Sequence, residues 1–166
     1  MKIVLDTNCF IYAEDPEAPS HDALQEILRA HKDGQIKLSV SRHTLFELQK
    51  KPDAASARAE MLPILPYWPI GTWGEQVGTW SQLEGTWDDA RRNDEIQEEL
   101  KRLAKAGNDI RDRGALLDGL LANADAFVTC DKQLVGSGPA ARIYERFGMR
   151  ILTPSEIADE LRKQKT

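Results

Sequence analysis

Ile3-Val4-Leu5-Asp6-Thr7-Asn8 decides the fold class. Three apolar residues followed at once by polar ones read as a short strand buried on both faces, the kind that parallel sheets contain, closed by a polar turn. The same grammar returns late in the chain, where Ala126-Phe127-Val128-Thr129-Cys130-Asp131 predicts a buried strand over 126–130 that ends on Thr129 and Asp131. Between these two, helical and strand patterns alternate. Ala23, Leu24, Ile27, Leu28 and Ala30 recur at three-to-four spacing, and Asp33-Gly34 stops that helix. Residues 36–40 are β-rich. Ser41 caps a further helix, in which Leu45, Phe46 and Leu48 flank Glu47 before Lys50-Lys51-Pro52 breaks it. A short helix follows over 54–62. Pro63, Pro66 and Pro69 leave room for a short third strand near 67–70, at a sheet edge because proline lacks a ladder donor. Residues 88–106 predict a charged helix, acidic at its start and basic at its end. The next helix carries Leu116, Leu117, Leu120, Leu121 and Ala124 on its apolar face. A helix over 140–147, a fifth strand over 150–152 and a last helix opened by Thr153-Pro154 complete the pattern. Five strands alternating with helices predict an α/β fold, three-layer α/β/α with a parallel sheet, as one domain over 1–166.

Composition bounds the function classes. A chain of 166 residues fits one domain with a substantial core. No stretch approaches the ~18 apolar residues of a membrane span, and the N-terminus reaches Asp6 too soon for a signal peptide. The expected location is cytoplasmic, with no membrane partner. Cys9 and Cys130 cannot form a disulfide framework and have no metal-binding pair spacing; they are expected as buried thiols on strands one and four. Twenty-two bases against 27 acids give a net charge of −5, which argues against a protein that grips nucleic acid through bulk positive charge.

Gly-Thr-Trp occurs three times, at 71–73, 78–80 and 85–87. The period invites a base-stacking surface, yet Trp73, Val77, Trp80, Leu83 and Trp87 fall on one stripe of an amphipathic helix. The preferred expectation is a core or partner-facing stripe, with a helical elaboration around 71–107.

The acids have a more specific placement. In open parallel sheets, ligands bind outside the carboxyl ends of the strands, near the point where connections diverge. Asp6 ends strand one, Asp131 follows strand four, Glu47 lies in the helix after strand two, and Asp112 opens the helix that feeds strand four. Four acids from distant segments are therefore predicted at one edge, where like charges raise one another's pKa unless a cation neutralises them. Carboxylate oxygens suit Mg²⁺ or Mn²⁺, whereas zinc would want His or Cys. Glu47 among Leu45, Phe46 and Leu48 is expected to be poorly solvated, which favours such a role.

Leu5-Asp6-Thr7-Asn8, Glu47, Asp112 and Thr129-Cys130-Asp131, with Ile151-Leu152-Thr153-Pro154 near the end, resemble the signature of PIN-domain nucleases, including the VapC-like toxins. The similarity covers roughly 1–50 and 108–155 and is weak over 71–107. It implies a five-stranded sheet in order 3-2-1-4-5, which also puts strand three at an edge. It implies a metal-dependent endoribonuclease that hydrolyses RNA phosphodiesters with Mg²⁺ or Mn²⁺ on Asp6, Glu47, Asp112 and Asp131. RNA is then the substrate, and the implied protein partners are an antitoxin or a second copy of the chain as a homodimer. Asp109, the expected N-cap three residues before Asp112, is an alternative ligand. Thr7, Asn8 and Thr129 have side chains suited to orienting the carboxylates, with turn formation as the competing role. Arg111, Arg113 and Lys132, and also Arg42, are candidates for substrate phosphates. Asp118 lies about 240° round the helix from Asp112 and is set aside. His21 and His31 are expected to be exposed, and His43, four before Glu47, to be structural.

Rival classes fare worse on the residues. A phosphatase of the haloacid dehalogenase type needs a second aspartate two after Asp6, where Asn8 stands. A response-regulator receiver needs an aspartate ending strand three, which the proline-rich segment does not supply. A catalytically silent PIN fold that binds RNA or protein through the Trp stripe is the alternative that remains.

Overall fold

The computed structural model describes residues 1–50, 53–65, 87–105 and 113–164, the side chains of 87–90, 93, 103–105 and 113 excepted. The third strand expected near 67–70, the Gly-Thr-Trp stripe up to residue 86, Asp109, Arg111 and Asp112 lie outside the described residues. The described strands are β1 (Lys2–Leu5), β2 (Lys37–Ser39), β3 (Ala126–Val128) and β4 (Arg150–Leu152). They form one parallel sheet in the order β2-β1-β3-β4. Ile3 stands opposite Leu38 on one side and Ala126 on the other, and Ala126 opposite Arg150. Four described strands replace the five expected. At the outer edge of β2 the described residues make one isolated parallel bridge, Val40 to Ile64, beside which Leu65 N–H donates to Val40 O at 2.9 Å. That bridge falls directly before the segment expected to form the edge strand.

The alternation of side chains along each strand divides the core in two. Ile3, Leu5, Ala126 and Val128 point to one face. There they pack with helices α1 (Thr7–Ala13), α2 (His21–Lys32), α3 (Arg42–Gln49), α4 (Ala54–Glu60) and α8 (Pro154–Lys163). Val4, Phe127 and Ile151 point to the other, against α5 (Trp87–Lys105), α6 (Arg113–Leu121) and α7 (Gly138–Phe147). Ile3 and Phe127, from opposite faces, are both 0% exposed, so the sheet is covered on both sides. Among the described residues, no helix is long and apolar enough to cross a membrane.

Local chemistry sets the element ends. Ser41 accepts the Thr44 N–H and starts α3. Thr153 and Glu156 form a reciprocal capping box with Pro154 in the first turn of α8. One expectation is corrected here. The polar segment after β1 is not a turn but the opening of α1, with Asp6 as its N-cap. In consequence Cys9 lies on a helix rather than on a strand, and Cys130 in the loop after β3. His21 and His31 are half-buried rather than exposed, and His31 Nδ1 accepts the Leu38 N–H at 3.2 Å, which ties α2 to β2.

Candidate functional site

The chain leaves β1 for β2 on one side and later returns to β3 on the other, so the connections diverge between β1 and β3. A crevice outside the carboxyl ends of those two strands is where an open parallel sheet offers a ligand site. Asp6 and Thr129 stand there. Asp6 N–H donates to Val128 O at 3.0 Å, which continues the ladder by one bond and brings the two strand ends together.

Asp6 is 0% exposed, and both of its carboxylate oxygens are engaged. Oδ1 accepts the Thr7 N–H at 2.7 Å, as an N-cap should, and Oδ2 accepts the Thr129 hydroxyl at 2.7 Å. A buried carboxylate is tolerable only with such donors. Thr129, itself 0% exposed, uses the same hydroxyl oxygen to accept the Asp131 N–H at 3.1 Å. Asp131 Oδ1 takes the Gln133 N–H at 2.8 Å, which leaves its side chain half-buried at the mouth of the loop. On the other flank the Thr7 hydroxyl donates to Glu47 Oε2 at 2.5 Å.

Two threonines thus connect the segments that carry three of the four expected acids. The Thr129 hydroxyl donates to the Asp6 carboxylate and accepts the main-chain N–H of Asp131, while Thr7 gives its main-chain N–H to Asp6 and its hydroxyl to Glu47. Asn8 sits half-buried in the first turn of α1. Glu47 differs from expectation in one respect. It is exposed, because the helical spacing of α3 turns Leu45 and Leu48 inward and leaves Phe46 and Glu47 outside. Phe46 is 67% exposed, with the Lys50 ammonium 5.2 Å from its ring centroid.

Asp112, Asp109 and Arg111 fall outside the described residues; Arg113 is the first residue of α6, its side chain not described. Lys132 is exposed beside Asp131, and Arg42 is exposed at the start of α3. The donor set, carboxylates and hydroxyls, fits a hard divalent cation rather than a soft one. Among the described residues, however, no group of three or more His, Cys, Asp or Glu side chains is placed to hold a metal ion.

Two further features border the acids. Cys9 Sγ lies 3.8 Å from Cys130 Sγ and 3.3 Å from Val128 O. Burial pushes the Cys9 thiol well above its ordinary range, whereas its contact with Cys9 lowers Cys130. The second feature escaped the sequence. Asp118, set aside by the helical wheel, is 8% exposed, and its Oδ2 lies 3.2 Å from His43 Nδ1. Burial raises its carboxyl above the ordinary value, partly offset by His43 and Arg42. A histidine and a glutamate four apart on one helix and a lone aspartate on another were visible, but nothing in the sequence pairs positions 43 and 118.

No protein-family model matches the chain, and no curated protein matches it.

Proposed function

We propose that this protein is a Mg²⁺- or Mn²⁺-dependent endoribonuclease of the PIN type that hydrolyses RNA phosphodiester bonds. The observation that carries the proposal is the linkage of Asp6, Glu47 and Asp131 through Thr7 and Thr129 at the point where the sheet connections diverge. Thr129 donates to the buried Asp6 carboxylate and accepts the main-chain N–H of Asp131, and Thr7 donates to Glu47, so the turn that carries Asp131 and the helix that carries Glu47 are both tied to the strand end that carries Asp6. In the full PIN arrangement a fifth strand near 67–70 lies outside β2, giving the order 3-2-1-4-5, and the Val40–Ile64 bridge at that edge supports it.

Asp6, Glu47 and Asp131, with Asp112 or Asp109, would hold the ion. When bound, it supplies charge neutralisation, a water of lowered pKa and polarisation of the phosphate. The chain's own residues do the rest. Thr129 and Thr7 hold the carboxylates at fixed angles, and the buried side of the crevice limits water access at Asp6. Lys132, Arg42, Arg111 and Arg113 offer cations to flanking phosphates, and an exposed single strand suits this small edge crevice better than a duplex. A cytoplasmic toxin paired with an antitoxin protein, acting as a homodimer, is the biological setting that the PIN likeness suggests.

The test is cleavage of labelled single-stranded RNA with Mn²⁺, with EDTA and Asp6→Asn as controls. Asparagine caps a helix as well as aspartate does, so the variant remains folded while losing a ligand charge. Loss of cleavage in both controls is expected; cleavage that survives both overturns the proposal. The second reading is a silent PIN fold that binds RNA or protein. Calorimetry with Mn²⁺ separates the two, since the silent fold takes up none.

A further inference from the structure

We infer that His43 is a substrate-contacting residue that donates from Nε2 to an RNA phosphate, held in place by Asp118 and Gly114; the inference rests on the nuclease proposal. On α3, His43 and Glu47 are four residues apart and share a face; on α6, Gly114 and Asp118 are four apart and share another. These two faces meet. His43 Nδ1 reaches Asp118 Oδ2 at 3.2 Å, and the ring lies so close to Gly114 that a Cβ there would come within 2.3 Å of ring carbon Cδ2. Any larger residue at 114 would push the imidazole away. The ring is therefore fixed from two sides, by a carboxylate that is only 10% exposed and by a glycine floor, yet the His43 side chain is 53% exposed.

That combination has a chemical reading. An ionised carboxylate only accepts, so Nδ1 carries the proton and Nε2 is the nitrogen left for another partner, although the ring lies over Gly114 with Nε2 2.6 Å from where a Cβ would stand. With Nδ1 donating to Asp118, the doubly protonated ring is the form that also donates from Nε2 to a phosphate, one helical turn from Glu47. Arg42, adjacent to His43 and within electrostatic reach of Asp118, adds positive charge on the same side. A histidine serving only to satisfy Asp118 would need Nδ1 alone. Asp118 is in this scheme a positioning residue, acting through the ring.

The two amide replacements discriminate the roles, because asparagine places its donor near Nδ1 and glutamine places one near Nε2. With single-stranded RNA and Mn²⁺, His43→Asn and His43→Ala are expected to raise KM roughly tenfold, the scale of one hydrogen bond to a charged group, with kcat little changed. His43→Gln restores most of the affinity. Asp118→Ala raises KM in the same direction, and the double variant with His43→Ala adds nothing further. Should a variant fail to fold, the imidazole ¹⁵N spectrum of the unaltered protein gives the answer. Its Nε2 resonance is expected to move on addition of a 2′-O-methylated single-stranded RNA that cannot be cleaved. A wild-type-like His43→Asn, or an Nε2 resonance that does not move at saturating RNA, overturns the inference alone. Protein that neither cleaves nor binds RNA overturns the nuclease proposal, and this one with it.

Discussion

Asp118 shows what a single buried carboxyl does to stability. Burial raises its pKa above the ordinary 3.8, and His43 and Arg42 only partly counter that. The folded chain therefore holds the Asp118 proton at pH values where the unfolded chain has already released it. Where the folded state binds more protons, stability falls as pH rises, so this residue lowers stability through the window just above the ordinary carboxyl pKa. Above the folded-state pKa the loss is complete. Asp118→Asn carries no such proton. Its melting temperature, followed from pH 3 to pH 6, is expected to gain on the unaltered protein as pH rises. A difference that stays constant or shrinks would contradict the burial effect. None of this was legible in the sequence, because the wheel places Asp118 relative to its own helix and not relative to α3. By contrast, Asp6 was legible, since a charged residue directly after a buried strand has its position set by the strand, whereas Asp131, three residues beyond Val128, is placed by the Thr129 and Gln133 hydrogen bonds of its loop.

At the scale of elements, apolar runs and caps carried most of the information. The strands β1, β3 and β4 follow from short apolar runs, and α3 and α8 begin at Ser41 and Thr153 as their cap chemistry requires. Helix α1 was hidden because Asp6-Thr7-Asn8 suits a turn and a helix start equally, and seven residues hold too few apolar repeats to decide. Another feature invisible in the sequence joins α5 to α7. Glu99, 0% exposed, lies 2.5 Å from Arg146 Nη1 and 3.0 Å from Arg142 Nε, the latter at an angle too poor for a hydrogen bond. Arg102 is farther, at 3.9 Å. Both close arginines are about half exposed, so losing the glutamate returns them to water, whereas losing them strands a buried charge. The expected result is therefore asymmetric. Arg142→Ala with Arg146→Ala costs about 3–5 kcal/mol in urea unfolding, and Glu99→Met costs far less or stabilises. Equal losses would mean that the clamp acts by packing rather than by charge.

For the whole molecule, the charge balance has a local source. Setting aside Asp6, Glu47, Asp112 and Asp131 leaves 23 acids against 22 bases, so nearly all of the −5 belongs to one proposed site. A negative total then speaks only against grip by a basic surface, and it predicts how the fold responds to ions. A divalent cation that binds only the folded chain stabilises it by mass action. At Mn²⁺ near a hundred times its dissociation constant the gain is about 2.7 kcal/mol. For a domain of this size that is roughly 5–10 °C in melting temperature. Sodium chloride at matched ionic strength only screens exposed charge and should give a much smaller rise. Asp6→Asn and Asp131→Asn are expected to lose most of the manganese increment while keeping the salt response. If Mn²⁺ moves the unaltered protein no more than matched sodium chloride does, the acids are held by their threonines for structural reasons. The silent, binding form of the fold then becomes the better account.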